Sequence, residues 1–470
     1  MDSQNGIFDA VIRGGRIVTA TDVADGDIGI SGGVIAAIEA PGSLTSAAKF
    51  IDLPGKIVFP GLIDCHCHFR GWEDYGLASR MAAAAGLTTI IPFAITDTEN
   101  GETLPDAIDR HRGQLEGSSV LDVSFHFQLG ADPRILEGIP AAIEKGVRSF
   151  KMFMAYKTRR PPVMVSDEFI LRAMDVAGAN GGLIQLHCEN GEVIYYLERQ
   201  FQAEGRVKPT DFPDAAPPWV EGDAVQRAIT LAKTSGCPTY IVHLSTQVGL
   251  QAIVRAREDG ERVWTETCPQ YLLLAAEDHE KWGPLLKIGP PLRPGSGPDR
   301  EALWDGLKNG AISCLGSDHS PHPKETKELG WDNIFDQADG TPVPYGAPSI
   351  ETLAQLVYSK GVGERGFPLP YVAQVLSENP ARIFGLYPRK GVIQVGSDAD
   401  FTIIDPDQKV RITEDRLLGK AGYTPYEGWE MDGAITMSLL RGEVLMENGR
   451  IVGAPGFGRF LESGPPVDPV

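Results

Sequence analysis

Six residues scattered along the chain could share one piece of chemistry: His66, His68, Lys151, His187, His243 and Asp318. His66 and His68 close the apolar run IVFPGLIDCHCHF, and residues two apart on a strand project to one side, so both imidazoles can face one point. His187 closes GGLIQLH, His243 closes PTYIVH and Asp318 closes AISCLGSD, which brings an imidazole or a carboxylate to three further strand ends. Any one of these alone would ordinarily be a core polar group or a loop residue. Together they suit a divalent cation, zinc or a related metal. Lys151 lies inside VRSFKMFMAY, where an unpaired ammonium is costly to bury unless it reaches out at a strand end. Near two cations a free ammonium would be repelled. Addition of carbon dioxide would turn it into an anionic carbamate, N6-carboxylysine, able to bridge them.

These residues need elements to carry them. Apolar runs of strand length alternate with Ala- and Leu-rich helical stretches from about residue 55 to 385, which predicts parallel strands buried on both faces. The span suits an α/β fold of the (β/α)8 TIM-barrel kind, which gathers its active site at the C-terminal strand ends. The first residues (FDAVIRGGRIVTA, DIGISGGVIAAIEA) and the last (DADFTIIDP, AITMSLLRGEVLMENGRIVG) are β-rich and broken by Gly pairs. Residues 1–54 and 386–470 are therefore expected to form one small β-sandwich domain, with 55–385 as the barrel. The opening segment reads as an antiparallel sheet. No GxGxxG follows a strand to open a helix, so a dinucleotide site is not indicated.

Composition narrows the partners. Lys plus Arg (43) against Asp plus Glu (63) leaves a net charge of −20, which excludes duplex nucleic acid as a partner because phosphate recognition needs a basic face. With 42% hydrophobic and 23% charged residues the chain can bury a large core, so general disorder is excluded. No apolar run is long enough for a membrane helix and the N-terminus lacks a leader pattern, so a cytoplasmic protein is expected. The six cysteines (65, 67, 188, 237, 268, 314) are sparse and read as reduced thiols.

The order IDCHCHF, FKMFMAYK, LHCENGEVI, IVHLS, TCPQYL and GSDHSP resembles the cyclic amidohydrolases, in their dihydropyrimidinase and hydantoinase branch. The opening β segment, NPARIFGLYPRKGVIQVGSDAD, TPYEGWE and RGEVLMENGRIVG extend the resemblance over almost the whole chain. It implies two divalent metal ions, zinc by expectation, with His66, His68 and Asp318 on the first, His187 and His243 on the second, and carboxylated Lys151 between them. It further implies a metal-activated water as nucleophile, Asp318 as the group that takes and returns its proton, and Tyr156 as donor to the developing oxyanion. The substrate would be a small cyclic amide, imide or ureide, opened to an N-carbamoyl amino acid. A homotetramer is expected, a dimer being the other possibility.

The sequence departs from that pattern in places. Arg70, two residues after His68, is similar to the arginine with which dihydroorotases and allantoinases clamp a carboxylate, so it is a candidate contact to an anionic ring; pairing with Glu73 or Asp74 at the rim is the other reading. Gly289 is a candidate substrate contact through its backbone, and 347–349 is the best region for a contact from the loop DGTPVPYGAPS. A hydrolase of an anionic ring, and a non-catalytic scaffold of the same fold, are the alternatives to a hydantoin or dihydropyrimidine hydrolase. His319 and His322 are expected at the rim, and His111, His126 and His279 to be structural or exposed. Cys65 and Cys67, alternating with the histidines, are expected to point away from the metal side. The terminal GAPGFGRFLESGPPVDPV reads as an extended tail, frayed or reaching to another subunit.

Overall fold

The computed structural model describes residues 7–69, 71–158 and 163–470. Eight strands run parallel in the order of the chain: Leu62–Cys67, Leu87–Ile95, His126–Gln128, Ser149–Phe153, Leu183–His187, Thr239–Ile241, Val263–Thr267 and Cys314–Leu315. The ring closes where Asp318 N donates to His66 O at 2.9 Å and His68 N donates to His319 O at 2.6 Å. Leu62–Cys67, Ser149–Phe153 and Leu183–His187 are buried at every position, as the continuous apolar runs require.

Helices cover the outside, and several are begun by a side-chain cap. Asp74 accepts from Leu77 N at 2.8 Å at the start of Tyr75–Ala84, and Thr246 accepts from Gly249 N at 3.2 Å at the start of Gln247–Glu258. Such caps stabilise a helix by about 1 kcal/mol each. Inside the barrel, Ile63, Cys65, Ile91, Leu183, Tyr240, Trp264 and Cys314 pack against Phe384, Leu386 and Leu461, which plug the end remote from the site.

The second sheet takes strands from both ends of the sequence, in the order Arg450–Ile451, Glu443–Glu447, Glu430–Leu440, Phe401–Arg411, Ile57–Pro60, Phe8–Val18, Val23–Ser31 and Val34–Glu39. Ala47–Asp52 and Ile57–Pro60 both pair in parallel with Phe8–Val18, so this sheet is mixed and the opening segment is not a simple antiparallel one. The chain returns to the same strand through connections that turn patterns cannot reveal. Ile12, Ile28, Ile30, Val58, Phe401, Ile403 and Leu439 form its core.

Where this sheet meets the barrel, Lys390 Nζ lies 2.7, 2.8 and 2.6 Å from Asp122, Asp398 and Asp400, and Arg441 also pairs with Asp122. The three carboxylates could hold a cation, but Lys390 already occupies the place between them. The terminal segment is neither frayed nor directed outward: Leu461 N donates to Val123 O, Arg148 Nε donates to Ser463 O, and Leu461 is buried in the chain's own barrel. Among the described residues, no helix is long and apolar enough to cross a membrane.

Candidate metal centre

The strand ends converge as the spacing predicts. His66 Nε2 stands 3.1 Å from Asp318 Oδ1 and 3.3 Å from His68 Nε2, and His68 Nε2 stands 3.7 Å from the same carboxylate oxygen. A second group lies alongside, with His187 Nδ1 2.9 Å from His243 Nε2. The two groups adjoin, since the His66 and His243 rings are 5.4 Å apart. Lys151 sits between them. Its Nζ is 5.0 Å from the Phe93 ring, which packs on His66 and His68, and 5.2 Å from the Phe153 ring, which packs on His187.

Two buried nitrogens here have no hydrogen-bond partner, Lys151 Nζ and His243 Nδ1. An orphaned buried donor or acceptor costs about 1–3 kcal/mol, so the Lys151 amine marks a place that something else is to fill, while His243 turns its other nitrogen, Nε2, to the site. Burial pulls the Lys151 amine down to about 8, against the pull of Glu266 and Asp318. It also drives His243 well below its ordinary value, with His187, Lys151 and His66 adding to the effect. Burial opposes protonation of His66 too, yet Glu266 and Asp318 outweigh it and raise that imidazole to about 9. A field that favours an imidazolium also favours a metal cation. Four imidazoles, one carboxylate and a partnerless amine thus fit a pair of divalent cations.

Backbone strain points to the same spot. Only five non-glycine residues among those described have positive φ, and three of them are Tyr156 (66°), His243 (39°) and Asp318 (49°). Each costs of the order of 1–3 kcal/mol and persists because the surrounding packing fixes it. His187 is the last residue of its strand, whereas His243 and Asp318 lie just beyond theirs, so these two turns aim side chains that simple strand alternation would not.

The carboxylates behind the histidines were not foreseen from the motifs. Glu266, near the end of Val263–Thr267, pairs with His66 Nδ1 and also accepts from Tyr240 OH at 3.1 Å and His243 N at 3.2 Å. Glu189 Oε2 is 2.7 Å from His187 Nε2, and burial raises its carboxyl to about 7. Each fixes one ring nitrogen and leaves the other for the cavity. The available signal was a glutamate at the end of an apolar strand in VWTETCPQYL, and another two residues past His187. Cys65 donates to Glu266 Oε2 at 3.4 Å, behind the carboxylate that holds His66, and packs with Phe384 rather than lining the cavity.

Above the histidines lies a cavity of about 850 Å³ whose lining includes Lys151, Tyr156, His187, His243, Gly289 and Asp318. Tyr156 packs 4.8 Å from His187, ring to ring, with its hydroxyl over Gly289. A Cβ at Gly289 would lie 2.3 Å from that hydroxyl, and one at Gly191 would lie 2.7 Å from Ala155 Cα. Both glycines therefore admit close approaches that hold the Tyr156 turn against the cavity wall.

The remaining candidate residues fall as follows. Residues 340–346 of the long loop line the cavity, while Ser349 N donates to His319 Nδ1 at 3.1 Å. His319 is not at the rim: it is buried between that amide and Glu73, 3.2 Å from its Nε2. Asp74 caps a helix, and Arg70 lies outside the described residues. His111, His126 and His279 are buried and bonded to backbone carbonyls, and all six cysteines are buried and free.

A parallel barrel whose strand ends carry metal-ligating side chains beneath a deep cavity is the build of a metal-dependent hydrolase. A model of the amidohydrolase family matches residues 57–445. A D-hydantoinase of Ralstonia pickettii is 35% identical over 468 residues, covering 97% of this chain and 99% of its own. An L-hydantoinase of Paenarthrobacter aurescens is 33% identical over 461 residues, with 97% and 98% covered. The crystal structure of a dihydropyrimidinase from Brevibacillus agri matches with a TM-score of 0.90 at 34% identity, covering 98% of this chain and all of that one. The chain belongs to the amidohydrolase family, and His66, His68 and Asp318 form a group that could hold a metal ion.

Proposed function

We propose that the protein opens the amide bond of a cyclic amide, imide or ureide ring of the hydantoin or dihydropyrimidine type and releases an N-carbamoyl amino acid. The observation that carries this is the meeting of four imidazoles, Asp318 and the partnerless Lys151 amine beneath one cavity. His66, His68 and Asp318 would hold one divalent cation and His187 and His243 the other. Zinc is the metal that best suits this thiolate-free set of imidazole and carboxylate donors. When bound, the pair supplies Lewis-acid polarisation of the amide carbonyl and lowers the pKa of water.

The chain's own groups do the rest. The neutral Lys151 amine adds to carbon dioxide and loses a proton, giving a carbamate with two oxygens to offer. Asp318 takes a proton from the attacking water and returns it to the ring nitrogen as the carbon–nitrogen bond breaks. The Tyr156 hydroxyl donates to the oxyanion that develops on the carbonyl. Gly289 contributes its backbone to the same wall. The residues 1–54 and 386–470, together with the strand Ile57–Pro60, would act as a β-sandwich unit beside the barrel made by the rest of 55–385, in a cytoplasmic homotetramer.

The test is metal analysis of protein purified without chelator, with ring opening of hydantoin and dihydrouracil assayed in parallel. Two divalent ions per chain and turnover are expected. Lys151→Ala should lose both, with partial recovery in short carboxylic acids. Wild-type protein without metal would leave only a scaffold, and a Lys151→Ala variant that keeps two metals and full turnover would remove the bridge.

A further inference from the structure

The far lobe of the cavity is charged in a way that ring opening does not use. Lys287 is 1% exposed, yet its Nζ donates only to Phe335 O, at 3.2 Å, and lies 4.4 Å from the Tyr345 ring. An ammonium has three hydrogens to donate, so two remain. Glu198 and Asp336 line the same lobe, and Glu198 Oε1 accepts from Tyr345 OH at 3.2 Å. Burial pulls the Lys287 amine down to about 8 while these two carboxylates push it back up, acting across the cavity without a direct ion pair to it.

We propose that this lobe is a subsite for a ring substituent ending in an uncharged amide-type group, a carboxamide or a ureido, held between Lys287 and the carboxylates of Glu198 and Asp336. This rests on the ring-opening reading and names the substrates it favours. Position supports it. A Cβ at Gly289 would lie 3.1 Å from Tyr345 Cδ1, and the hydroxyl end of Tyr345 reaches Glu198, so the lobe begins beside Tyr156 and ends a tyrosine's length away. Charge supports it as well. A hydrocarbon arm would leave the ammonium hydrogens unpaired in a desolvated place, which costs more than it gains. A carboxylate arm would satisfy Lys287 but face two like charges, and an ammonium arm would meet the reverse conflict. An amide presents a carbonyl to the lysine and N–H groups to the carboxylates.

The experiment compares kcat/KM for ring opening of unsubstituted hydantoin with hydantoins whose 5-substituent is propionamide, propionate or butyl. The metal-loaded wild-type enzyme should favour the propionamide arm over butyl and over propionate by about tenfold or more, as hydrogen-bonding sites do. In Lys287→Met, and separately in Glu198→Gln, the ratio of propionamide to unsubstituted hydantoin should fall towards that for butyl. Equal or greater kcat/KM for butyl or propionate in the wild type would overturn the proposal, as would unchanged ratios in a folded variant of either residue. If the wild type opened none of the rings, the ring-opening reading would fail and this inference with it, a result distinct from turnover without preference.

Discussion

Gly289→Ala gives the sharpest test of how the cavity wall positions Tyr156. The new Cβ would lie 2.3 Å from the tyrosine hydroxyl, whereas ordinary contact begins at 3.4 Å, so the hydroxyl must move by about an ångström. The backbone cannot take up that movement easily, because Tyr156 is already in the left-handed region at φ 66° and its ring is wedged between His187 and Tyr345. Misplacing a reacting group by about 1 Å costs about 10²-fold, and losing one oxyanion donor costs about 10²–10³ in kcat. We therefore expect kcat to fall by about 10²-fold with metal content unchanged. Tyr156→Phe removes the clashing atom and leaves Tyr345 Cδ1 at 3.1 Å and the ring carbon at 3.3 Å, distances that a shift of a few tenths of an ångström in each ring relieves. Added to Tyr156→Phe, the glycine change should then cost almost nothing, so the double variant should match Tyr156→Phe alone. Wild-type kcat in Gly289→Ala, or losses that multiply in the double variant, would refute the reasoning.

Two further outcomes follow from groups behind the site. Glu266→Gln should weaken metal retention by about 10- to 100-fold in a chelator competition, because Glu266 orients His66 through Nδ1; unchanged retention would mean that the pair is not an orienting contact. Glu221, buried and accepting from Ser245 N and Oγ at 3.0 Å, is raised by burial from its ordinary 4.5 to about 7. The folded state therefore holds this proton more tightly than the unfolded chain, so its contribution to stability is complete below pH 4.5 and lost as pH rises through 7. In denaturant titrations Glu221→Gln should flatten the decline across that window; parallel curves for variant and wild type would contradict the assignment.

Much of the barrel was legible because its signals are local. Strands buried on both faces must be continuous apolar runs, so VRSFKMF and GGLIQLH announce themselves, and a histidine at such an end stands out against its surroundings. The six candidate ligands could be named on that basis. The mixed pairing of the accessory sheet could not, because Ala47–Asp52 and Ile57–Pro60 select Phe8–Val18 through contacts that no turn residue specifies. The tail was misjudged for a similar reason. Gly and Pro give it the texture of a loop, while Leu461 is held by a barrel floor assembled from strands far away in the sequence.

The sequence by itself determined the donor chemistry, the strands that carry it and the net charge of −20, since residue type and short-range periodicity encode all three. Tertiary structure alone decided which partner each donor faces. The left-handed turns at Tyr156, His243 and Asp318 are imposed by packing, Glu266 and Glu189 find their histidines only once the strands close, and Lys287 meets Glu198 and Asp336 across a cavity that no single segment defines. Distances between groups remote in sequence are set by how the whole core packs. Electrostatics depends on those distances, so the charge pattern of the site belongs to the fold.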